Sequence, residues 1–269
     1  MSNIRSRSHI VAAATLAVTF IYIVVCAVMI LADTPLAGTT DTVVKKLQID
    51  AFIRGHAALM YPARGLDPAV SLYPLDGLHY VLHGQPYSLY PPYFFWFSGV
   101  WFRLGGNNAL LALVAICGIG CVGLTAMLAR RYMDLRRAAY CVLCVGLATP
   151  LLYYSTAYWE HTFALALFLG AVCLVLSKTL RATAYLGAGL LLGMASVIRP
   201  ELYIWAIVLL LSKCYFVKER TTRMYVVLAF VGIAVISTMH LWFQYSVLQG
   251  VPVHIARNID KVNQGDFVQ

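Results

Sequence analysis

Ile10 to Ala32 is a run of 23 residues with no charged side chain. As a helix it extends about 34 Å, more than the ~30 Å hydrocarbon core of a bilayer. Asn107–Ala129 and Met224–Val247 are of similar length and character. No water-soluble fold buries several such runs side by side without charged surfaces between them. Only 12% of the residues are charged and mean hydropathy is +0.76, against about 25% charged in a soluble domain. These features predict an all-α integral membrane protein. Signal-peptide apolar cores span roughly 7–15 residues, so the first run reads as a retained anchor behind Arg5 and Arg7.

Seven spans follow from the apolar runs: Ile10–Ala32, Asn107–Ala129, Ala138–Tyr153, Tyr158–Ser177, Ala182–Ile198, Leu202–Val217 and Met224–Val247. The sixth is the shortest, since only Leu202–Ser212 is uncharged and eleven helical residues cover just ~17 Å. Lys213 extends it by reaching toward the headgroups. The whole chain, 1–269, reads as a single membrane domain. It has a long first outer loop over 33–106, six further spans over 107–247 and a polar outer tail over 248–269.

The net charge of +9 reports orientation rather than nucleic-acid binding. With the N-terminus in the cytoplasm, the inside segments hold twelve of the twenty basic residues, among them Arg130, Arg131, Arg136, Arg137, Lys178, Arg181, Lys213, Lys218, Arg220 and Arg223. They hold only two of the eleven acids, Asp134 and Glu219. Cytoplasmic loops are enriched in Lys and Arg in this way. The alternation supports seven crossings, a multi-pass protein with its N-terminus in the cytoplasm.

That orientation gathers Asp41, Glu160, His161, Arg199 and Glu201 at the outer face. Thr39–His56 carries Val43, Val44, Leu47 and Ala51 at helical spacing. Thr40 is placed to cap this helix and Asp41 lies in its first turn, where a carboxylate suits the dipole. Tyr93–Leu104 follows Pro91-Pro92 and is dense in aromatics, which predicts a helix in the outer membrane interface. The seven cysteines lie in or at the ends of apolar segments and read as small packing residues. No nucleotide-binding glycine motif, zinc-ligand spacing or internal repeat is present.

The outer-loop acid, the "YPP" before an aromatic helix ending "FRLGG", the "RR" closing the next span and "GLLLGMASVIRPE" (Gly189–Glu201) together resemble the GT-C superfamily of membrane glycosyltransferases. The likeness is to bacterial members related to protein mannosyltransferases and lipid A aminoarabinose transferases. It implies a bacterial plasma (inner) membrane and transfer of a sugar from a polyprenyl-phosphate donor to an envelope glycan, lipid or protein at its outer face. In that scheme Asp41 is the general base, although many members carry two adjacent acids where this chain has Thr40-Asp41. Arg199, Lys45 and Lys46 are candidates to hold the leaving phosphate. Glu160 and His161 are candidates for acceptor binding, acid–base chemistry or a metal site, with Glu201 beside them. Some members need a divalent metal, and the resemblance leaves that open. Members usually continue with further spans, so the chain reads as either a minimal form or a fragment.

Bland readings stand beside these. Asp41 serves a helix dipole, Glu160-His161 is a solvated helix start with a local ion pair, Arg199 pairs with Glu201 or a headgroup, and Lys45 and Lys46 are interfacial charges. A transporter or flippase for a lipid or small solute, or a non-catalytic envelope-assembly subunit, are the alternatives to an enzyme.

Overall fold

A computed structural model describes residues 2–32, 40–73, 78–82, 84–177, 181–217 and 219–248. The tail beyond Leu248, Lys178, Lys218 and His83 lie outside them. The described chain is mostly helical: α1 Ser2–Leu31, α2 Thr40–Ile53, α3 Tyr93–Tyr132, α4 Leu135–Leu147, α5 Leu151–Tyr154, α6 His161–Val175, α7 Ala182–Ile198, α8 Leu202–Phe216 and α9 Arg220–Leu248. Among the described residues, three helices are long and apolar enough to cross a membrane: Ile10–Leu31, Tyr93–Tyr132 and Arg220–Ser246. Three shorter apolar helices, α6, α7 and α8, have 15, 17 and 15 residues.

Large apolar side chains point outward along these helices, including Leu16, Phe20, Ile204, Trp205 and Trp242. In water such exposure would be costly, whereas against lipid it is the expected surface of a membrane protein.

The chain reads from sequence as one membrane domain, and its packing groups the residues into two compact units. One comprises the described residues within 1–36 and 104–236, the other those within 37–103 and 237–248. The first contains two apolar cores. Val11, Val18 and Tyr22 of α1 pack with Cys121 and Val122 of α3 and Ala138 and Val142 of α4. Ala171 and Val175 of α6 pack with Tyr185 and Leu192 of α7, Leu210 of α8 and Ala229 of α9. Small residues permit this closeness. A Cβ built on Gly189 would lie 2.1 Å from the Ala229 carbonyl oxygen, so α7 and α9 touch through their backbones. Close small-residue crossings of this kind are common where lipid supplies no hydrophobic drive.

Asp134 opens α4 by accepting hydrogen bonds from the backbone N–H groups of Arg136 and Arg137, as an N-cap acid does. These bonds and the two neighbouring guanidinium groups hold the Asp134 carboxyl below its usual range.

The second unit holds α2, the loop after it, the first turns of α3 and the end of α9. Its core is Val44, Leu59, Val70 and Tyr73. A short 3-10 helix spans Pro62–Gly65. A hairpin pairs β1, His79–Leu82, with β2, Gln85–Ser88, in antiparallel register from His79↔Ser88 to Leu82↔Gln85. This hairpin departs from the all-α expectation. Its strands are four residues long, too short for a clear alternation, and Pro86 reads as a strand breaker.

One further difference concerns a span. The third span, expected over Ala138–Tyr153, is interrupted: α4 stops at Leu147, and Pro150, whose ring disrupts a continuing helix, begins the single turn α5. Within α3, the aromatic helix at Tyr93 and the span at Asn107 are two helices, as expected, parted by non-helical backbone at Gly105 and Gly106. Gly106 has φ 60° and ψ −142°, a conformation open essentially to glycine.

Candidate functional site

Within the first unit, α6, α7 and α8 bring a carboxylate, an imidazole, a guanidinium and a second carboxylate together. Glu160 precedes α6 and His161 is its first residue. Arg199 and Glu201 lie in the short connection between α7 and α8. Arg199 Nη1 donates to Glu160 Oε1 at 3.2 Å, and Arg199 Nε donates to Glu201 Oε1 at 2.7 Å, with Nη2 also against Glu201. His161 Nδ1 lies 4.0 Å from Glu160 Oε1.

Burial separates the two carboxylates. The Glu160 side chain is 6% exposed and that of Glu201 is 53% exposed. The solvated helix start expected at Glu160 is therefore replaced by a buried acid whose charge is met by Arg199. A buried carboxylate requires such a partner. Arg199 bridges both acids rather than Glu201 alone.

Aromatic rings form one wall of this cluster. Tyr154 stacks on His161 with centroids 4.3 Å apart and planes 12° apart, and Trp159 lies 5.4 Å from Tyr154 and 5.2 Å from His161, so the three rings form a triangle. Thr149, Tyr154, His161, Arg199 and Glu201 line a cavity of about 270 Å³. Thr162, fully buried in the same lining, has a hydroxyl with no hydrogen-bond partner. The aromatic contribution of Tyr154 and Trp159 was not legible in sequence, because the rings meet only where the single turn α5 and the irregular backbone before α6 fold back on His161.

The second unit holds a different group. Asp41 lies in the first turn of α2. Its Oδ1 accepts a hydrogen bond from the Tyr90 hydroxyl and its Oδ2 lies 3.4 Å from Lys45 Nζ, one turn later. Lys45 has no exposed surface, and its ammonium lies 4.7 Å from the centre of the Tyr90 ring. Lys45 is thus an interior cation held by a carboxylate and a ring face, whereas Lys46 is half-buried. Tyr90, 49 residues from Asp41, was not singled out by sequence.

Asp67 closes the loop after the 3-10 helix. It accepts from the Leu72 backbone N–H at 2.7 Å, the Ser71 hydroxyl at 2.9 Å and the Tyr61 hydroxyl at 2.9 Å. The Leu72 bond, with the two hydroxyls, holds the Asp67 carboxyl below its usual range, against the opposing effect of desolvation. This is a loop anchor rather than a reactive acid.

Tyr93 and His240 share a 2.8 Å hydrogen bond in the second unit, a packing role for a histidine in an apolar helix. Among the described residues no group of His, Cys, Asp and Glu is arranged to hold a metal ion. Asp41, Lys45 and Lys46 belong to one unit and Glu160, His161, Arg199 and Glu201 to the other. No protein-family model, curated protein or solved structure matches the chain.

Proposed function

We propose that the chain is a multi-pass membrane glycosyltransferase of the GT-C type. It moves a sugar from a polyprenyl-phosphate donor to an envelope acceptor, with Asp41 as general base. The single observation that carries this reading is the setting of Asp41. Its carboxylate is oriented by a tyrosine hydroxyl on one oxygen and a buried ammonium on the other. A carboxylate offers about four acceptor positions, so two contacts leave room for an acceptor hydroxyl.

In the reaction the acceptor O–H proton passes to Asp41 and the acceptor oxygen bonds to the anomeric carbon. The bond from that carbon to the phosphate oxygen breaks, and its electron pair leaves on the lipid phosphate. In the first unit, Arg199 has the donors to hold a lipid phosphate in exchange for Glu201, which is half exposed, while keeping Glu160, and Tyr154 and His161 beside it offer ring faces. Lys46, half-buried on the same helix as Asp41, supplies general positive charge.

Seven crossings with a cytoplasmic N-terminus fit this chemistry, because lipid-linked sugars are used at the outer face. Within the first unit, Arg130 and Arg131 lie with the beginning of α1 around one cavity, and Arg131 is near enough to Lys213 to interact with it electrostatically. The acids Glu160 and Glu201 occur where α6 and α8 begin. This segregation of charge by helix end supports the orientation.

The test is transfer by purified protein in lipid vesicles, using a panel of polyprenyl-phosphate monosaccharides and isolated envelope membranes as acceptor. Wild type releases polyprenyl phosphate, and Asp41→Asn is slower by about 10²–10⁴, the usual contribution of general base catalysis. Unchanged turnover in Asp41→Asn, or no turnover of any donor by wild type, overturns the reading.

A further inference from the structure

The second unit contains a cavity that the transfer scheme does not use. Its volume is about 50 Å³, room for roughly three to five water-sized groups at ~10–15 Å³ each. Gln48, Tyr80, Tyr87, Tyr90, Trp96 and Gln244 are among its lining residues, and none of the lining residues is Asp, Glu, Lys or Arg.

Its walls are ring faces in ordered pairs. Tyr80 and Tyr87 stack across the hairpin at 5.6 Å and 22°, and Phe52 and Trp96 stack at 5.9 Å and 28°. Burial raises the Tyr80 hydroxyl above its ordinary value, with Tyr87 adding to the effect, so the Tyr80 phenol presents an O–H group rather than charge.

Gln48 supplies the second observation. It is 8% exposed, and its Nε2 donates to the Tyr90 carbonyl at 3.2 Å. That bond fixes which end of the amide is nitrogen. The other end, Oε1, is buried with no hydrogen-bond partner. A buried acceptor without a donor is unfavourable, and a hydrocarbon occupant would leave it so.

We infer that this cavity binds one edge of a neutral saccharide ring. The absence of charged lining residues matches an uncharged ligand. The ring faces match the flat C–H face of a pyranose, and the phenols and glutamine amides match its hydroxyls, one of which donates to Gln48 Oε1. The volume admits a ring hydroxyl with its adjoining carbons rather than an oligosaccharide. The cavity meets the Asp41 group through Tyr90, which lines it and also bonds to Asp41. If the transfer reading holds, this is where the accepting sugar sits, and the inference rests on that reading only for the word accepting.

Binding is measured without any donor, on the full chain in lipid nanodiscs. Trp96 fluorescence is titrated with methyl β-D-glucopyranoside, methyl α-D-mannopyranoside and, as a hydrocarbon control, cyclohexane. The expected result is a saturable change with at least one glycoside that disappears in Trp96→Phe. Gln48→Met, of similar length but lacking the acceptor, weakens binding about tenfold, as the loss of one hydrogen bond does. Tyr87→Ala, which removes a ring face from the hairpin, weakens it comparably and stands in if Gln48→Met does not fold. No saturable change, an unaltered affinity in both variants, or equal binding of cyclohexane overturns the inference, the last in favour of an acyl chain. Glycoside binding with no transfer activity removes the catalytic reading alone, and transfer activity without glycoside binding removes this one alone.

Discussion

Arg199 donates to Glu160 from 39 residues away, joining the α7–α8 connection to the head of α6. Glu160 is nearly inaccessible, while the Arg199 side chain keeps 30% exposure. Removing the arginine therefore leaves an interior carboxylate without this counter-charge.

Arg199→Met is expected to destabilise the chain by about 2–3 kcal/mol, below the ~3–5 of a fully buried pair because Arg199 is partly solvated. Adding Glu160→Gln recovers most of that loss. Denaturant unfolding in detergent checks both, and additive losses in the double variant would show that the pair is not coupled.

Glu201 competes for the same guanidinium. Glu201→Gln weakens that competition, so the KM for the lipid-phosphate donor falls severalfold while stability changes by less than about 0.5 kcal/mol, as for an exposed pair. A raised KM would mean that Glu201 contacts the donor itself.

Asp41 and Lys45 form an unequal pair, since the lysine is fully buried and the aspartate is 30% exposed. Asp41→Asn leaves an interior ammonium without this carboxylate and costs about 2 kcal/mol. Lys45→Met leaves a carboxylate that water can reach, and costs less than about 1 kcal/mol. Thermal unfolding of the two variants in one detergent gives the order, and the reverse order would place the burden on Asp41.

Helix contact through glycine gives a sharp prediction. Gly189→Ala puts a methyl against the Ala229 backbone and is expected to cost about 1–3 kcal/mol. Gly120→Ala, also in an apolar helix but with no atom near the added methyl, is neutral or stabilising by up to ~1 kcal/mol. Equal unfolding midpoints for the two would refute the close α7–α9 crossing.

Asp67 sets an acid limit on its loop. Its folded carboxyl ionises below the unfolded value of about 3.9, so the stabilisation is fully present above that pH and is lost as pH falls through the folded value. The Leu72 amide, bonded to Asp67, should lose its hydrogen-bonded NMR shift over that range. In Asp67→Asn the pH dependence disappears. A Leu72 shift that is flat with pH in wild type would remove Asp67 as the anchor.

Much of the architecture is legible in local sequence. Apolar runs mark α1 and α6–α9 closely, because helix length and hydropathy depend on neighbours within a few turns. Asp41 in a first turn, Pro91-Pro92 before a helix and the basic helix ends follow from the same local rules. The break after Leu147 is less legible, since Pro150 sits in an apolar stretch that reads as continuous. The hairpin at His79–Ser88 is too short to show a period.

The pairings of the polar groups belong to the tertiary structure. Nothing near Glu160 in the chain announces a guanidinium, and nothing near Lys45 distinguishes it from Lys46 except the face of α2 that turns inward. Tyr90 reaches Asp41, and Tyr154 reaches His161, only because loops return to helices dozens of residues or one irregular turn away. Burial of charge is decided by long-range contacts, where the cost of leaving water must be met by a partner that local sequence does not contain.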